Sequence, residues 1–219
     1  MMLSKVVSII ETLTSSAIGP SPKFDEYHVI KLLMTLLKEG SIGRTRLSKI
    51  LMLGEGSTRT LISRMKSMGL IEESRKGCSL TPSGREVADV IASKISCITR
   101  VPIESFGISG VGVGVLVKGA PARVDVIKLR DEAVRRGAKA LITMLLVKGK
   151  LAIPTVEDDV MARWPDVSKY IFDAIKPQEG DAILIGIADQ YSMAERGALM
   201  AAWSLALEQS KSVNASSTS

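Results

Sequence analysis

The segment GEGSTRTLISRMKSMGLI, from Gly54 to Ile71, combines basic groups and hydroxyls at a helical interval. With Leu61 at zero and about 100° per residue, Met65 and Met68 fall within roughly 40° of it, whereas Arg59, Ser63 and Lys66 fall near 140° to 200°. Thr60 and Ser67 flank that outer row, and Arg64 lies nearer the apolar side. Long cationic donors interleaved with short hydroxyls, on a face without an acid, suit insertion into a DNA groove. Guanidinium and ammonium groups meet phosphates or guanine edges, and Ser or Thr fit where the backbone comes close. For a basic helix taken alone, a solvated surface is the plainer explanation.

The neighbouring segments decide between the two. FDEYHVIKLLMTLLKEG reads as a helix with Phe24, Tyr27, Ile30, Met34 and Leu37 on one side, stopped at Gly40. A second helix follows Ser41-Ile42-Gly43 and carries Arg44, Arg46 and Lys49 beside inward Leu47, Ile50 and Leu51. After the Leu53-Gly54-Glu55-Gly56 turn, Ser57 is the expected cap of the third helix. LIEESRKGCSLT then alternates about a Lys76-Gly77 turn as a short hairpin with Arg75 and Lys76 at its tip, and Thr81-Pro82-Ser83-Gly84 opens another helix. Three helices, a two-stranded wing and a helix are the order of a winged helix-turn-helix. Charge agrees: between Ser41 and Lys76 there are eight basic residues against three acidic, whereas from Ser96 onward there are 15 against 14. The net +6 of the whole chain therefore sits in the first half.

LSKILMLGEGSTRTLISRMKSMGLIEESRKGCSLTPSGRE resembles the N-terminal DNA-binding domain of the central glycolytic gene regulator and related archaeal winged-helix proteins. The resemblance lies in Leu-x-Leu-Gly-Glu-Gly, Thr-Arg-Thr-Leu, Met-Gly-Leu-Ile and Leu-Thr-Pro-Ser-Gly-Arg-Glu, and spans roughly residues 24 to 94. It implies a recognition helix at residues 57–68. Met52 departs from the small residue that many such proteins carry before the turn. The expected DNA contacts are Arg59, Thr60, Ser63 and Lys66 in the groove, Ser57 at the helix start, and Arg44, Arg46, Lys49, Arg75 and Lys76 on phosphates.

The second half reads as βαββαβα, an α+β sandwich of ferredoxin-like type with helices on one face of an antiparallel sheet. GVGVGVLVKG is a strand whose alternate positions lack side chains; it is no dinucleotide fingerprint, because Val117 stands where the third glycine belongs. Gly112 and Gly114 there, with Gly186, Asp189 and Ser192 at the last strand-to-helix passage, form a candidate ligand site. Close packing is the alternative for the glycines. IGIADQ followed by ERGALMAAW is similar to the uncharacterised C-terminal domain that accompanies this winged helix in archaeal proteins. Ala194, Gly197, Ala198 and Ala201 share one stripe of the last helix, suited to close packing on the sheet or on a second subunit.

The domains are expected at residues 1–98, with an extra N-terminal helix (Leu3, Val6, Val7, Ile10, Leu13) that covers the core or pairs with a copy, and at 105–207, with a disordered tail at 208–219. An apolar fraction of 46% suffices for two cores, and the pI is about 9.4. Two cysteines, Cys78 and Cys97, and one histidine, His28, are too few and too scattered for a zinc site, and the thiols suit a reducing cytoplasm. Glu157-Asp158-Asp159 lacks the spaced oxygens of a calcium loop. No stretch is apolar enough to span a membrane, and Glu11 interrupts the first apolar run, so no signal peptide is expected. With no nucleophile motif or phosphate loop, no catalytic residue, cofactor or metal is expected. The expectation is a cytoplasmic, homodimeric transcriptional regulator that binds double-stranded DNA, with a second domain that senses a small effector or dimerises. The alternatives are an architectural or RNA-associated protein, an enzyme fused to an autoregulatory winged helix, and a protein–protein scaffold.

Overall fold

The computed structural model describes residues 3–15, 22–121 and 123–216, with side chains to 210. The chain divides between Ser93 and Lys94 into two compact units. Together they make a mixed α+β fold, with a two-stranded and a five-stranded sheet among the described residues.

The first unit runs α1 (Leu3–Thr14), α2 (Glu26–Glu39), α3 (Arg44–Leu51), α4 (Glu55–Ser67), β1 (Ile71–Ser74), β2 (Gly77–Leu80) and α5 (Pro82–Lys94). Leu3, Val6, Ile10 and Leu13 of α1 are buried, so this helix covers the unit's own core. α2 is consequently buried on more than one side, through Tyr27, Val29, Ile30, Leu32, Leu33 and Leu36. Its first turn holds the chain's one imidazole: His28 is buried, its Nδ1 2.7 Å from Asp25 Oδ1 and 3.1 Å from the Asp25 backbone nitrogen. The capping pair thereby fixes where the helix begins.

The hairpin turn falls one residue earlier than the Lys76-Gly77 expectation. Ile71 pairs with Leu80 and Ser74 with Gly77, leaving Arg75 and Lys76 as the two turn residues. Gly77 is needed within β2: at φ 120° it lies against Ile42, where a Cβ would stand 2.5 Å from the carbonyl. Ile42 and Cys78 exchange both backbone hydrogen bonds at 2.9 Å, which ties the hairpin to the entry of α3.

The second unit contains β3 (Ile95–Val101), a 3-10 turn (Glu104–Phe106), β4 (Val111–Val117), α6 (Val126–Arg135), β5 (Ala140–Val147), β6 (Lys150–Ala152), α7 (Val160–Arg163), α8 (Pro165–Ala174), β7 (Ala182–Ala188) and α9 (Tyr191–Ser216). Three expectations are corrected here. The boundary at residue 98 moves back, because β3 follows α5 without a linker and belongs to the second sheet.

The sheet order is β3-β4-β7-β5-β6, antiparallel throughout. A ferredoxin-like sheet would centre the first and third strands of its βαββαβ unit side by side; here the fourth strand, β7, is the middle one, between β4 and β5, and β3 occupies the side of β4 that the third strand would take. Helices also cover both faces. Ile183, Ile185 and Ile187 face Val167, Ile171 and Ile175 at the α8 side, whereas Gly186 faces α9. Finally, the tail expected to be disordered from 208 is helical to Ser216; residues 217–219 lie outside the described residues. The reason is specific: Gln209 is buried and donates to the carbonyls of Lys118 (3.2 Å) and Gly119 (2.6 Å).

Candidate nucleic-acid interface

α3 and α4 meet through a turn held by both of its polar partners. The Ser48 hydroxyl donates to the Leu53 carbonyl at 2.7 Å, and Leu53 N–H returns to the Ser48 carbonyl at 3.1 Å. Buried Leu53 anchors the turn while Met52, at φ 54° in the left-handed region, is 65% exposed. An unbranched side chain tolerates that backbone at a modest cost, where glycine would have none.

α4 begins at Glu55 with Gly54 as its cap. Ser57 is therefore inside the first turn and does not cap, a correction caused by a cap three residues earlier than expected. The buried stripe consists of Thr58, Leu61, Ile62 and Met65. Met68 is instead the C-cap and 37% exposed. The Thr58 hydroxyl is satisfied by the Gly54 carbonyl at 3.1 Å, which permits its complete burial.

Opposite that stripe Arg59, Thr60, Ser63 and Lys66 are all exposed, as are Arg44, Arg46 and Lys49 on α3 and Arg75 and Lys76 at the hairpin turn; Ser57 is half-buried. All ten lie in the first unit. Thr60 is partly committed, its hydroxyl donating to the Gly56 carbonyl at 3.0 Å. The basic surface is not acid-free. Lys66 Nζ lies 3.1 Å from Glu73 Oε2 on β1, and Arg46 Nη2 lies 2.6 Å from Glu39 Oε2 on α2. Both pairs are well solvated, so each holds its cation only weakly against a competing anion. Helical angles on one element could not reveal acids brought in by another.

A role that spacing alone did not disclose belongs to Arg64. Its Nη1 donates to the carbonyls of Leu13 and Ser15, each at 2.7 Å, and its guanidinium stacks 5.4 Å from the Phe24 ring centre. The carbonyls at the end of α1 carry partial negative charge, so a cation there is well placed. Arg64 thus braces α4 from behind while the cations opposite remain exposed. Cys78, on strand β2 opposite Glu73, is buried, and burial together with Glu73 pushes its thiol above the ordinary range.

The five residues of the candidate ligand site do not converge. Gly112 and Gly114 face Val101 and Ile103, where a Cβ would meet Ile103 Cγ2 at 2.3 Å and Val101 Cγ2 at 2.8 Å. Gly186 lies on the opposite sheet face, where a Cβ would come 2.3 Å from the Ala194 carbonyl oxygen and 2.9 Å from Ala198 nitrogen. The absent side chains are thus occupied by packing. Asp189 is exposed and paired with Lys139 at 2.5 Å, and Ser192 is half-buried in the first turn of α9. A cleft of about 550 Å³ instead lies at the other end of β4 and β7, lined by Ser96, Leu116, Lys118, Lys176, Glu179 and Asp181 among others. The acidic run is used locally: Asp159 pairs with Lys150 at 2.9 Å and Glu157 with Arg163 at 3.5 Å.

These two units correspond to two known kinds of domain. Residues 28–86 match the PH0730-like N-terminal domain, and residues 108–205 match a domain of unknown function, DUF4443. The chain pairs a PH0730-like N-terminal domain with a C-terminal DUF4443 domain. Among solved structures it is similar to the hypothetical protein PH0730 from the archaeon Pyrococcus horikoshii OT3, with a TM-score of 0.71 and 28% identity over 85% of this chain and 95% of that one. No curated protein matches the chain. The described cationic residues lie within the stretch matched to the PH0730-like domain, whereas β3 falls between the two matches although it pairs along β4 of the DUF4443 sheet. No described helix is long and apolar enough to cross a membrane.

Proposed function

We propose that the protein is a DNA-binding transcriptional regulator of the cytoplasm whose PH0730-like domain is a winged helix-turn-helix. In this reading α4 enters the major groove. Arg59, Ser63 and Lys66 address base edges and phosphates, Thr60 packs at the groove wall, and Arg44, Arg46, Lys49, Arg75 and Lys76 contact the backbone on either side. The observation that carries it is the division of α4 into a buried stripe of Thr58, Leu61, Ile62 and Met65 and an exposed cationic and hydroxylic row, in one unit with an exposed Arg75-Lys76 turn. The folding core has no need of those cations, and a polyanion would. The resemblance of residues 24–94 to the DNA-binding domain of the central glycolytic gene regulator supports the same reading. The DUF4443 domain would then contribute dimerisation or effector sensing.

The test is titration of the full chain against a duplex selected from a random pool. With about four to six phosphate contacts, log K should fall against log salt with a slope of roughly −4 to −5. Arg59→Glu with Lys66→Glu should weaken binding by about 100-fold at low salt, near 3 kcal/mol, with folding unchanged because both residues are exposed. A flat salt dependence, or full affinity in the double variant, removes α4 as the binding face.

A further inference from the structure

Helix α6 presents to solvent an apolar stripe bracketed by opposite charges. Ile127 is 66% exposed and Val134 44% exposed. At about 100° per residue these two lie within about 20° of each other, with Arg130 about 60° to one side and Asp131 about 40° to the other. The opposite side of the helix is closed by buried Leu129 and Ala133, and Gly197 of α9 comes close to the Ala133 carbonyl. Other charges of α6 are engaged within the chain: Lys128 pairs with Glu208, and Arg135 and Arg136 both pair with Glu132. Among the described residues, Arg130 and Asp131 have no hydrogen-bonding or ion-pair partner for their side chains. Met193, 44% exposed, lies against Gly137 just past the end of the helix and adds a third apolar group there.

We propose that this face joins two copies of the chain, α6 against α6, about a two-fold axis running nearly along the helices. Charge selects the occupant and the orientation. Such an axis sets the Arg130 flank of one copy opposite the Asp131 flank of the other, twice, offset by one residue or roughly 1.5 Å along the helix. Ile127 meets its own counterpart, and so does Val134. An antiparallel pairing would place Arg130 beside Arg130 and Asp131 beside Asp131, which like charges oppose. A foreign partner would have to carry the inverse pattern; a second copy carries it by symmetry. A ten-residue helix offers less than the roughly 800 Å² per partner of a standard stable interface, so the dimer is reversible and depends on concentration. This pairing does not depend on DNA binding, although a two-fold protein would match a palindromic site.

Sedimentation of the full chain without DNA, over a wide concentration range, tests it. The expected result is a monomer–dimer equilibrium that Ile127→Glu, Arg130→Asp and Asp131→Arg each weaken by about tenfold or more. The double exchange Arg130→Asp with Asp131→Arg should restore association to within about threefold of the parent, because it recreates the same pairs with their signs reversed. Thermal unfolding checks that each variant is folded, and Ile127→Ser replaces Ile127→Glu should the glutamate disturb the helix. A chain monomeric at every concentration, a dimer indifferent to the Ile127 substitutions, or a double exchange no better than either single one overturns the proposal. None of these outcomes bears on DNA affinity, which is measured separately.

Discussion

The two domains treat their most conspicuous residues in opposite ways. In the PH0730-like domain, the arginines and lysines that stand out in the sequence are left outside by folding: Leu61, Ile62 and Met65 secure α4, and Arg59 and Lys66 are surplus to that task. In the DUF4443 domain, the glycines that stand out are consumed. Gly112, Gly114 and Gly186 are the spaces into which Ile103, Val101 and α9 fit. Unusual sequence is thus a signal of function only where the fold leaves it unused. The same criterion directs attention to Arg130 and Asp131, whose side chains have no partner among the described residues.

The sharpest way to break this contrast is Gly186→Ala. If the glycine serves packing, the added methyl meets the backbone of α9 and cannot be relieved by turning a flexible side chain. Overpacking at such a site should cost about 3 kcal/mol, read as an earlier urea midpoint for the full chain. Unchanged stability would mean that the backbone has room after all and would reopen a ligand role for that strand.

A smaller effect probes the first domain. Arg64→Met keeps much of the side-chain bulk but removes two charge-assisted hydrogen bonds to the end of α1. The expected loss is about 1–2 kcal/mol, with faster hydrogen exchange in α1 and no change in the salt slope of DNA binding. A reduced slope would instead place Arg64 among the phosphate contacts and blur the division between bracing and binding residues.

What was legible in the sequence follows the same division. α2 to α5 could be read because helical spacing, caps and turns are local, and the outward direction of Arg59, Ser63 and Lys66 follows from angle alone. β3 was missed although Ile95, Ile98, Thr99 and Val101 are β-branched, because no breaker separates it from α5; the chain instead changes course at a bulge between Ser96 and Ile98, with Cys97 at φ 48°. Strand order was illegible for a different reason: the pairing of β7 between β4 and β5 is nonlocal, and each of these apolar strands could serve as a central one. The polar composition after Glu208 hid Gln209, whose place is set by two carbonyls near residue 118.

The smallest expected effect is the most discriminating for the candidate interface. Glu73 on β1 holds Lys66 at 3.1 Å, so a phosphate approaching Lys66 must displace that carboxylate or tolerate it nearby. Both side chains are solvated, which limits their mutual attraction to under about 1 kcal/mol. Glu73→Gln removes the competing charge without altering the size of the side chain. If Lys66 meets DNA, affinity should rise by about two- to fivefold at low salt, and the gain should shrink as salt rises because screening already weakens the acid. If Lys66 is merely a solvated surface lysine, the substitution leaves DNA affinity unchanged and shifts stability by only a few tenths of a kcal/mol. Lys66→Met in the Glu73→Gln background separates these cases: the gain must vanish with the lysine if the two act on one phosphate, and must persist if Glu73 repels DNA on its own.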